Sequence, residues 1–485
     1  MFSATPLKEE VVPKKYLVSF ILITFCFALW GAANNMTDLL VTVFKQVKGM
    51  SALEASLIQT AFYGAYFCAP IPAALIIHKF GYKIGAVSGL LLYALGAFLC
   101  FPASLTDSFS FFLFAFYIFA GGCAIVETSV APYILSMGPP ETATQRINLA
   151  QAFNPVGSIC GIFLGKFIIL SHLTQPEIMR NLAPEEKVVA QANDLSLVVQ
   201  AYAVVGIIGL LLGLIILFKK LPKVNQNRIT PNIKGSLKRL IKNSNYKFAV
   251  LAQFFYVGAQ IGVWTFVVPY VMEAQIGYAQ VDSAWWFYLA SLLIFLLSRF
   301  VCTILMNYIC PEKLLARCSA LAALFSLGAI LGSGWLGVIC VVLISACMSL
   351  MFPTIYGLGL QGTGEDKKVG GSGIIMAIVG GAILVPMQGF MTDGKLPEGD
   401  FFLNVLLRNI FTPLQSILEQ LSFNYSTANS YLLPLICFAI VGAYGRYAYN
   451  HQQKLQQKTQ ATKQSPVENT SPAMPVNDQI KMEIL

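Results

Sequence analysis

Residues 109–137 read FSFFLFAFYIFAGGCAIVETSVAPYILSM, an apolar run in which Glu127 is the one charged residue. A helix needs about 20 consecutive apolar residues to cross the hydrocarbon core of a bilayer, and this run is longer than that. The run therefore predicts a transmembrane helix, and its lone carboxyl group requires a separate explanation.

The composition of the whole chain points the same way. Of its 485 residues, 56% are hydrophobic and 11% are charged, and the mean hydropathy is +0.67. Soluble domains carry about 25% charged residues, so this chain lacks the polar side chains needed to cover a water-facing surface. These values exclude a soluble enzyme, a nucleic-acid-binding protein and a disordered chain. They predict a polytopic α-helical membrane protein.

About twelve apolar runs of spanning length follow one another along the chain. They lie at 16–44, 54–77, 82–104, 109–137, 144–171 and 195–219, and then at 246–273, 283–310, 313–333, 335–361, 367–393 and 429–450. A polar, basic segment at 220–245 separates the two sets. We therefore predict an all-α membrane protein with twelve transmembrane helices in two pseudo-symmetric six-helix bundles, residues 16–219 and 246–450.

The charged residues predict the orientation of these helices. Lysine and arginine concentrate in one set of loops and in the 220–245 segment, whereas aspartate and glutamate dominate the alternate loops. Because basic loops stay in the cytoplasm, we expect the N-terminus (1–15), the linker and the C-terminus to be cytoplasmic. The net charge of +9 is explained by this topology, so no nucleic-acid partner is expected.

Two segments lie outside the twelve-helix pattern. Residues 394–428 predict an extracytoplasmic insertion, in which leucine and isoleucine follow a helical period over 401–423. This period is typical of an amphipathic helix that lies on the membrane surface or on the mouth of the bundle. Residues 451–485 are rich in Gln, Lys, Pro and Thr and lack periodicity, so a disordered tail is expected.

The two halves of the chain show a weak internal repeat. Pro132 in the fourth run and Pro353 in the tenth occupy equivalent positions when the halves are aligned. Parallel duplication of a six-helix unit is typical of the major facilitator architecture, with the substrate site at the interface of the halves. The first basic hairpin, His78-Lys79-Phe80-Gly81-Tyr82-Lys83, resembles a degraded form of the loop signature of that architecture. Proline and glycine are also common in membrane helices generally, so the repeat alone is weak evidence.

Other kinds of chemistry have little support in the sequence. The 11 cysteines form no CxxC pair and the three histidines are scattered. We therefore expect no catalytic residue, no metal site and no cofactor. A sugar-sensing receptor would be expected to carry a folded signalling domain, and a membrane-embedded transferase would need a charged cluster at a membrane face. We keep both as less favoured alternatives.

Two carboxyl groups lie inside predicted spans, where a charged side chain costs at least about 2.5–3.5 kcal/mol. Asp38 shares a stripe of the first helix with Trp30 and Asn34, and Glu127 lies in the fourth helix. The structural alternatives are an interfacial position for Asp38 and a buried hydrogen bond for Glu127. The cost of burial makes both candidates for proton coupling.

Amides and an indole accompany these acids. Gln151 and Asn154 are three residues apart in the fifth helix, and Gln260 and Trp264 are four apart in the seventh, so each pair shares a face. Amides and carboxylates bind sugar hydroxyls, and an indole covers the apolar face of a pyranose. Helix–helix hydrogen bonds and plain packing are the structural alternatives. The set favours a neutral sugar as substrate.

At these residues the sequence resembles the fucose permease family of sugar–proton symporters. The resemblance is carried by Phe27-Ala28-Leu29-Trp30-Gly31-Ala32-Ala33-Asn34-Asn35, Asp38, Val126-Glu127-Thr128, Asn148-Leu149-Ala150-Gln151-Ala152-Phe153-Asn154, Tyr256-Val257-Gly258-Ala259-Gln260, Ser298-Arg299-Phe300 and Phe352-Pro353-Thr354-Ile355. It implies that Asp38 and Glu127 are the two important acids of the family. It also implies substrate contacts at Asn34, Asn35, Asp38, Glu127, Gln151, Asn154, Gln260, Trp264 and Phe352.

The resemblance implies a secondary transporter that imports a monosaccharide, L-fucose above all, with a proton by alternating access. Phe352 stands where the fucose permease has a tyrosine, so one sugar contact is expected to be absent. Relatives with the same skeleton carry glucose and galactose, or N-acetylglucosamine. A glucose/galactose symporter, with sodium as a possible coupling ion, therefore stays open. We also expect the protein to lie in the lipid bilayer of a bacterial inner membrane and to be monomeric.

The role of Arg299 is ambiguous, since its side chain could pair with an acid or cap the end of its helix.

Overall fold

The computed structural model is helical throughout the residues it describes, which are 10–47, 52–106, 108–170, 172–174, 176–221, 233–274, 281–394, 402–420 and 423–464. Within these residues, eleven helices are long and apolar enough to cross a membrane, or twelve if a bent pair counts as one span. The bent pair is Ala61–Cys68 with Pro70–Phe80, which meet at 41° where Pro70 interrupts the hydrogen-bond ladder. The chain is a multi-pass membrane protein, and the predicted fold class is confirmed.

The helices before the linker are α1 (Leu17–Val47), α2 (Ala52–Cys68), α3 (Pro70–Phe80), α4 (Tyr82–Leu105), α5 (Phe109–Leu135), α6 (Ala143–Gln151), α7 (Phe153–Leu164), α8 (Pro176–Asn181) and α9 (Pro184–Phe218). A π-helical turn, Gly165–Leu170, extends α7. Helix α10 (Ile233–Lys242) lies in the linker.

The helices after the linker are α11 (Ser244–Glu273), α12 (Val281–Leu305), α13 (Pro311–Leu331), α14 (Trp335–Met348), α15 (Met351–Gly359), α16 (Lys367–Met376), α17 (Gly380–Asp393), α18 (Phe402–Gln420), α19 (Thr427–Ser430) and α20 (Leu432–Gln464). Several predicted spans are therefore broken into two helices: α6 with α7, α14 with α15, and α16 with α17. Spans interrupted at proline or glycine surround the binding sites of many transporters.

The linker helix α10 was not predicted, and it is docked to the membrane bundle. The Arg239 guanidinium donates to both carboxylate oxygens of Asp366, at 2.8 and 2.6 Å. This contact also holds the pKa of the Asp366 carboxyl below its ordinary value. We call the side of the molecule that carries α10 the linker side and the opposite side the far side.

The chain after residue 450 differs in part from the prediction. Helix α20 continues to Gln464, so the first part of the expected disordered tail is helical. The segment 451–464 contains no glycine or proline and is rich in good helix formers, which lets the helix continue beyond the apolar part. Residues 465–485 lie outside the described residues.

The insertion predicted at 394–428 contains a helix, α18, at the expected place. The segment that follows α18 packs on the far side of the second half. Thr427 donates its backbone N–H to the Glu273 carboxylate at 2.9 Å, and the ring centroids of Tyr425 and Phe390 are 5.9 Å apart. These contacts tie the end of the insertion to the ends of α11 and α17.

Helices α1 and α7 approach closely because glycine lies at their contact. A Cβ atom placed on Gly157 would lie 1.8 Å from the Ala28 carbonyl oxygen, and one on Gly31 would lie 2.1 Å from the Asn154 carbonyl oxygen. Close backbone approach through small residues is how membrane helices gain packing energy, since lipid supplies no hydrophobic driving force between them. This contact brings Asn154 next to the first helix.

Replacing Gly157 with alanine is therefore expected to force α1 and α7 apart and to destabilise the protein by about 1–3 kcal/mol. The check is the apparent melting temperature of the purified protein in detergent. Gly64→Ala is the matched control, because the nearest atom to a Cβ there is 4.0 Å away. Equal melting temperatures for the two variants would contradict the packing argument.

Candidate functional site

Two prolines create the local backbone from which the candidate site is built. In an α-helix the N–H of residue i bonds the carbonyl of residue i−4, and proline has no N–H. Pro155 therefore leaves the Gln151 carbonyl without its helical partner, at the junction of α6 and α7. Pro353 does the same for the Ser349 carbonyl, at the junction of α14 and α15.

Arg299 on α12 satisfies both of these carbonyls. Its Nη1 donates to the Gln151 carbonyl oxygen at 2.8 Å, and its Nε donates to the Ser349 carbonyl oxygen. The side chain is buried, with 3% of its surface exposed. In the described part of the chain, the hydrogen-bond partners of Arg299 are thus two backbone carbonyls, one from each half. Within those residues the guanidinium pairs neither with an acid nor with the end of its own helix, and the Asp38 side chain lies outside them.

Polar side chains on one face of α6 extend this contact between the halves toward the linker side. Gln145 donates to the Thr303 carbonyl oxygen at 3.0 Å and to the Asn307 side chain at 2.8 Å. Asn148 donates to the Thr354 hydroxyl at 3.1 Å. Together with Gln151, these residues recur every third position, so the linker-side ends of the halves are joined along α6.

Glu127 lies at the centre of α5 and is 2% exposed. Its Oε2 atom has no hydrogen-bond partner within the described residues. Burying a polar group without a partner is costly, and proteins retain such groups where they serve a function. The carboxyl group is therefore available to hold a proton or to bind a ligand.

Arg146 on α6 shows the opposite arrangement and explains why a second buried charge is structural. Its guanidinium donates to the carbonyl oxygens of Ile134, Leu135, Pro139 and Val11, at 2.8–3.1 Å, and to the Thr142 hydroxyl. It thereby satisfies carbonyls at the end of α5, where helices leave acceptors unpaired. Arg146 fixes the α5–α6 turn and has no donor directed to the interior.

Trp264 is half-buried on α11, and both its indole N–H and its ring make contacts that fix its position. Its Nε1 donates to the Ser345 hydroxyl at 3.2 Å, and its ring meets the Phe295 ring edge-to-face at 4.9 Å. Gln260 lies one turn earlier on the same face and is also half-buried. This geometry leaves a fixed, partly accessible indole beside an amide, which suits a sugar ring.

Phe352 lies on α15 and is 7% exposed, and its ring centroid is 6.3 Å from that of Tyr256. Tyr256 donates its hydroxyl to the Met348 carbonyl oxygen at 3.0 Å, another acceptor at the broken tenth span. The two rings therefore pack beside the break between α14 and α15, where Arg299 donates to the Ser349 carbonyl oxygen.

Residues of α1 complete the predicted set. The Asn35 side chain is buried, donates to the Gly31 carbonyl oxygen at 3.2 Å and accepts from the Tyr288 hydroxyl of α12 at 3.3 Å. Asn154 donates to the Phe27 carbonyl oxygen at 3.4 Å. Asn34 and Asp38 belong to α1, but their side chains lie outside the described residues.

The sequence argument missed several residues of this region. Tyr66 accepts a hydrogen bond from the Trp30 indole. Gln253 is fully buried on α11, and neither of its amide atoms has a partner in the described part of the chain. Tyr66 could not be recognised from one sequence, because the chain has 20 tyrosines. Gln253 could have been recognised, because a glutamine is unusual within an apolar helix.

The contrast between Glu127 and Arg146 gives a prediction. Glu127→Gln is nearly isosteric and removes no partner from Oε2, so it should cost less than about 1 kcal/mol, the net worth of a typical hydrogen bond. Arg146→Gln leaves several buried carbonyls without donors and should cost at least about 1–3 kcal/mol. Thermal unfolding of both purified variants checks this. A larger loss for Glu127→Gln than for Arg146→Gln would show that Glu127 is the structural residue.

Comparison with known proteins agrees with this geometry. The family model described as Major Facilitator Superfamily matches residues 18–386. An L-fucose-proton symporter of Haemophilus influenzae is 39% identical over 451 residues, which cover 91% of this chain and 99% of that protein. A glucose/galactose transporter of Brucella abortus is 28% identical over 91% of this chain and 96% of its own length.

A solved structure is similar over most of the chain. It is the crystal structure of a major facilitator superfamily transporter, FucP, in the outward conformation. The TM-score is 0.77 at 32% identity, and the match covers 90% of this chain and 99% of that one.

Proposed function

Because the chain belongs to the major facilitator superfamily, we propose that it is a secondary active transporter, not an enzyme, and that it imports L-fucose with a proton by alternating access. The similarity to the L-fucose-proton symporter of Haemophilus influenzae, over nearly the whole length of both chains, supports this choice of substrate. The observation that carries the mechanism is the buried Glu127 carboxyl group, whose Oε2 has no partner within the described residues.

We place the linker side in the cytoplasm of a bacterial cell, with the protein in the inner membrane. Lys83, Lys238 and Lys367 lie in linker-side segments, and basic loops are retained in the cytoplasm. Both termini are then cytoplasmic. The two transport units are residues 16–219 and 246–450, and the functional unit is a monomer.

Under this orientation, the described residues form a state that is closed on the cytoplasmic side. The hydrogen bonds of Gln145 and Asn148 close the linker side, and Arg299 binds the Gln151 carbonyl further inward. Import then requires these contacts to open after the sugar and the proton have bound on the far side.

The sugar binds between the two halves in this proposal. The Trp264 indole covers the apolar face of the pyranose ring, and the amides of Asn35, Gln151, Asn154 and Gln260 bind its hydroxyls. The Gln151 amide nitrogen has no partner in the described part of the chain, so it is ready to donate to a ligand. Phe352 contributes an apolar wall, and Asn34 and Asp38 contribute from α1.

Glu127 and Asp38 couple the proton to transport. A carboxyl group in a cavity of low dielectric is more stable when it is protonated, because ionisation there is penalised by the loss of water. Binding of the sugar to the protonated form, and release of the proton into water after opening, links the two fluxes. A carboxylate can also bind sodium, which is why the coupling ion must be tested directly.

A second candidate function is glucose/galactose transport, or transport of N-acetylglucosamine. It is favoured by Phe352, which lacks the tyrosine hydroxyl expected for the fucose-type site, and by the similarity to the Brucella abortus transporter at 28% identity. Identity is higher to the fucose symporter, so L-fucose remains our first proposal.

Uptake of labelled L-fucose into proteoliposomes tests the proposal. With an acidic exterior we expect accumulation above the external concentration, and a proton ionophore should abolish it because the gradient supplies the work. Excess unlabelled L-fucose should compete, whereas D-glucose and D-galactose should not.

The control is empty liposomes under the same gradient. Accumulation that resists the ionophore but needs a sodium gradient would overturn the proton assignment. Competition by glucose or galactose alone would overturn the L-fucose assignment.

A further inference from the structure

The guanidinium of Arg299 serves two proline-freed carbonyls that belong to opposite halves of the molecule. Ser349 is in the second half, as is Arg299 itself, whereas Gln151 is in the first half. The hydrogen bond to Ser349 is therefore internal to one half, and the hydrogen bond to Gln151 crosses the interface.

Arg299 is anchored to its own half by more than one contact. Its Cζ atom lies 4.5 Å from the centre of the Phe295 ring, over the ring face, one turn earlier on α12. A cation over an aromatic face is attracted by the ring quadrupole, and most strongly away from water. The guanidinium is thus held in place, and among the described residues its Nη1 atom makes the hydrogen bond that crosses the interface.

The same ring connects Arg299 to the proposed sugar site. Phe295 contacts the Trp264 ring edge-to-face, and Trp264 donates to Ser345, which lies one helical turn before Ser349 on the broken tenth span. A change in the position of the Trp264 ring would therefore be transmitted through Phe295 to the group that holds Gln151.

The crossing hydrogen bond suits a contact that forms and breaks. While the linker side is closed, the Gln151 carbonyl is buried, and an unpaired carbonyl there would be costly because no water can replace the lost donor. When the halves separate on the linker side, water reaches this carbonyl and can satisfy it. Pro155 removes the i+4 N–H that would otherwise compete for this carbonyl in both states.

We propose that Arg299 is a positioning residue that ties the proline-broken fifth and tenth spans together and so sets the occupancy of the state closed on the linker side. The proposal rests on the transport cycle proposed above, but not on the identity of the sugar. It assigns Pro155 and Pro353 a role as well, since they supply the two acceptors.

Hydrogen–deuterium exchange of the full-length protein in lipid nanodiscs tests this without any transport measurement. In Arg299→Met we expect faster amide exchange in α6 (Ala143–Gln151) and α15 (Met351–Gly359), by about tenfold if the closed state loses about 1.4 kcal/mol. Far-side segments should exchange more slowly, because the molecule then spends less time in the state that is open on that side. Arg299→Lys, which can serve one carbonyl, should be intermediate.

The control variant is Arg317→Met, which removes an exposed arginine from the same half. It should leave amide exchange unchanged both on the linker side and on the far side. A general loss of stability would instead raise exchange at both ends of the molecule, and that result for Arg299→Met would overturn the proposal.

A double-mutant cycle with Pro155→Ala keeps the proposal testable if the single variant folds poorly. Alanine restores an N–H that can bond the Gln151 carbonyl, so Arg299→Met should accelerate exchange in α6 by a smaller factor in this background. Equal factors in the two backgrounds would show that Arg299 does not act through this carbonyl. If transport of L-fucose fails while the cycle is non-additive, the substrate assignment is wrong and the role of Arg299 stands.

Discussion

In a bilayer, each backbone donor and acceptor must find its partner within the protein, because lipid offers none. This constraint explains why the described residues form helices almost throughout, and it makes every break in a helix significant. Pro155 and Pro353 each remove one hydrogen bond from a span, and Arg299 restores both from a single side chain. The constraint therefore links helix breaks, the contact between halves and the closed linker side.

The proposed site of transport is built from buried polar groups that lack such a partner within the described residues. Arg146 satisfies five acceptors and is structural, whereas Oε2 of Glu127 and the amide nitrogen of Gln151 have no partners in the described part of the chain. Both are buried in the first half, whereas the fixed Trp264 indole belongs to the second half. A sugar and a proton would supply what these groups lack.

The sequence predicted the fold because hydropathy over spanning lengths is dictated by the bilayer. It also singled out Gln151 and Trp264 as candidate site residues, since polar residues and an indole in apolar runs are conspicuous, and their role in binding remains a proposal. The partners of Arg299 could not be predicted, because they are backbone carbonyls contributed by distant parts of the chain. The extension of α20 to Gln464 was missed because composition alone favoured disorder there.

The central claim is that Glu127 carries the coupled proton, and calorimetry tests it most directly. L-fucose binding to the purified protein, measured from pH 6 to 9 in buffers of different ionisation enthalpy, gives the number of protons taken up, expected to approach about one at the alkaline end. The account predicts that Glu127→Gln abolishes this uptake while L-fucose still binds. Undiminished proton uptake in Glu127→Gln, or none at any pH in the unmodified protein, would contradict it.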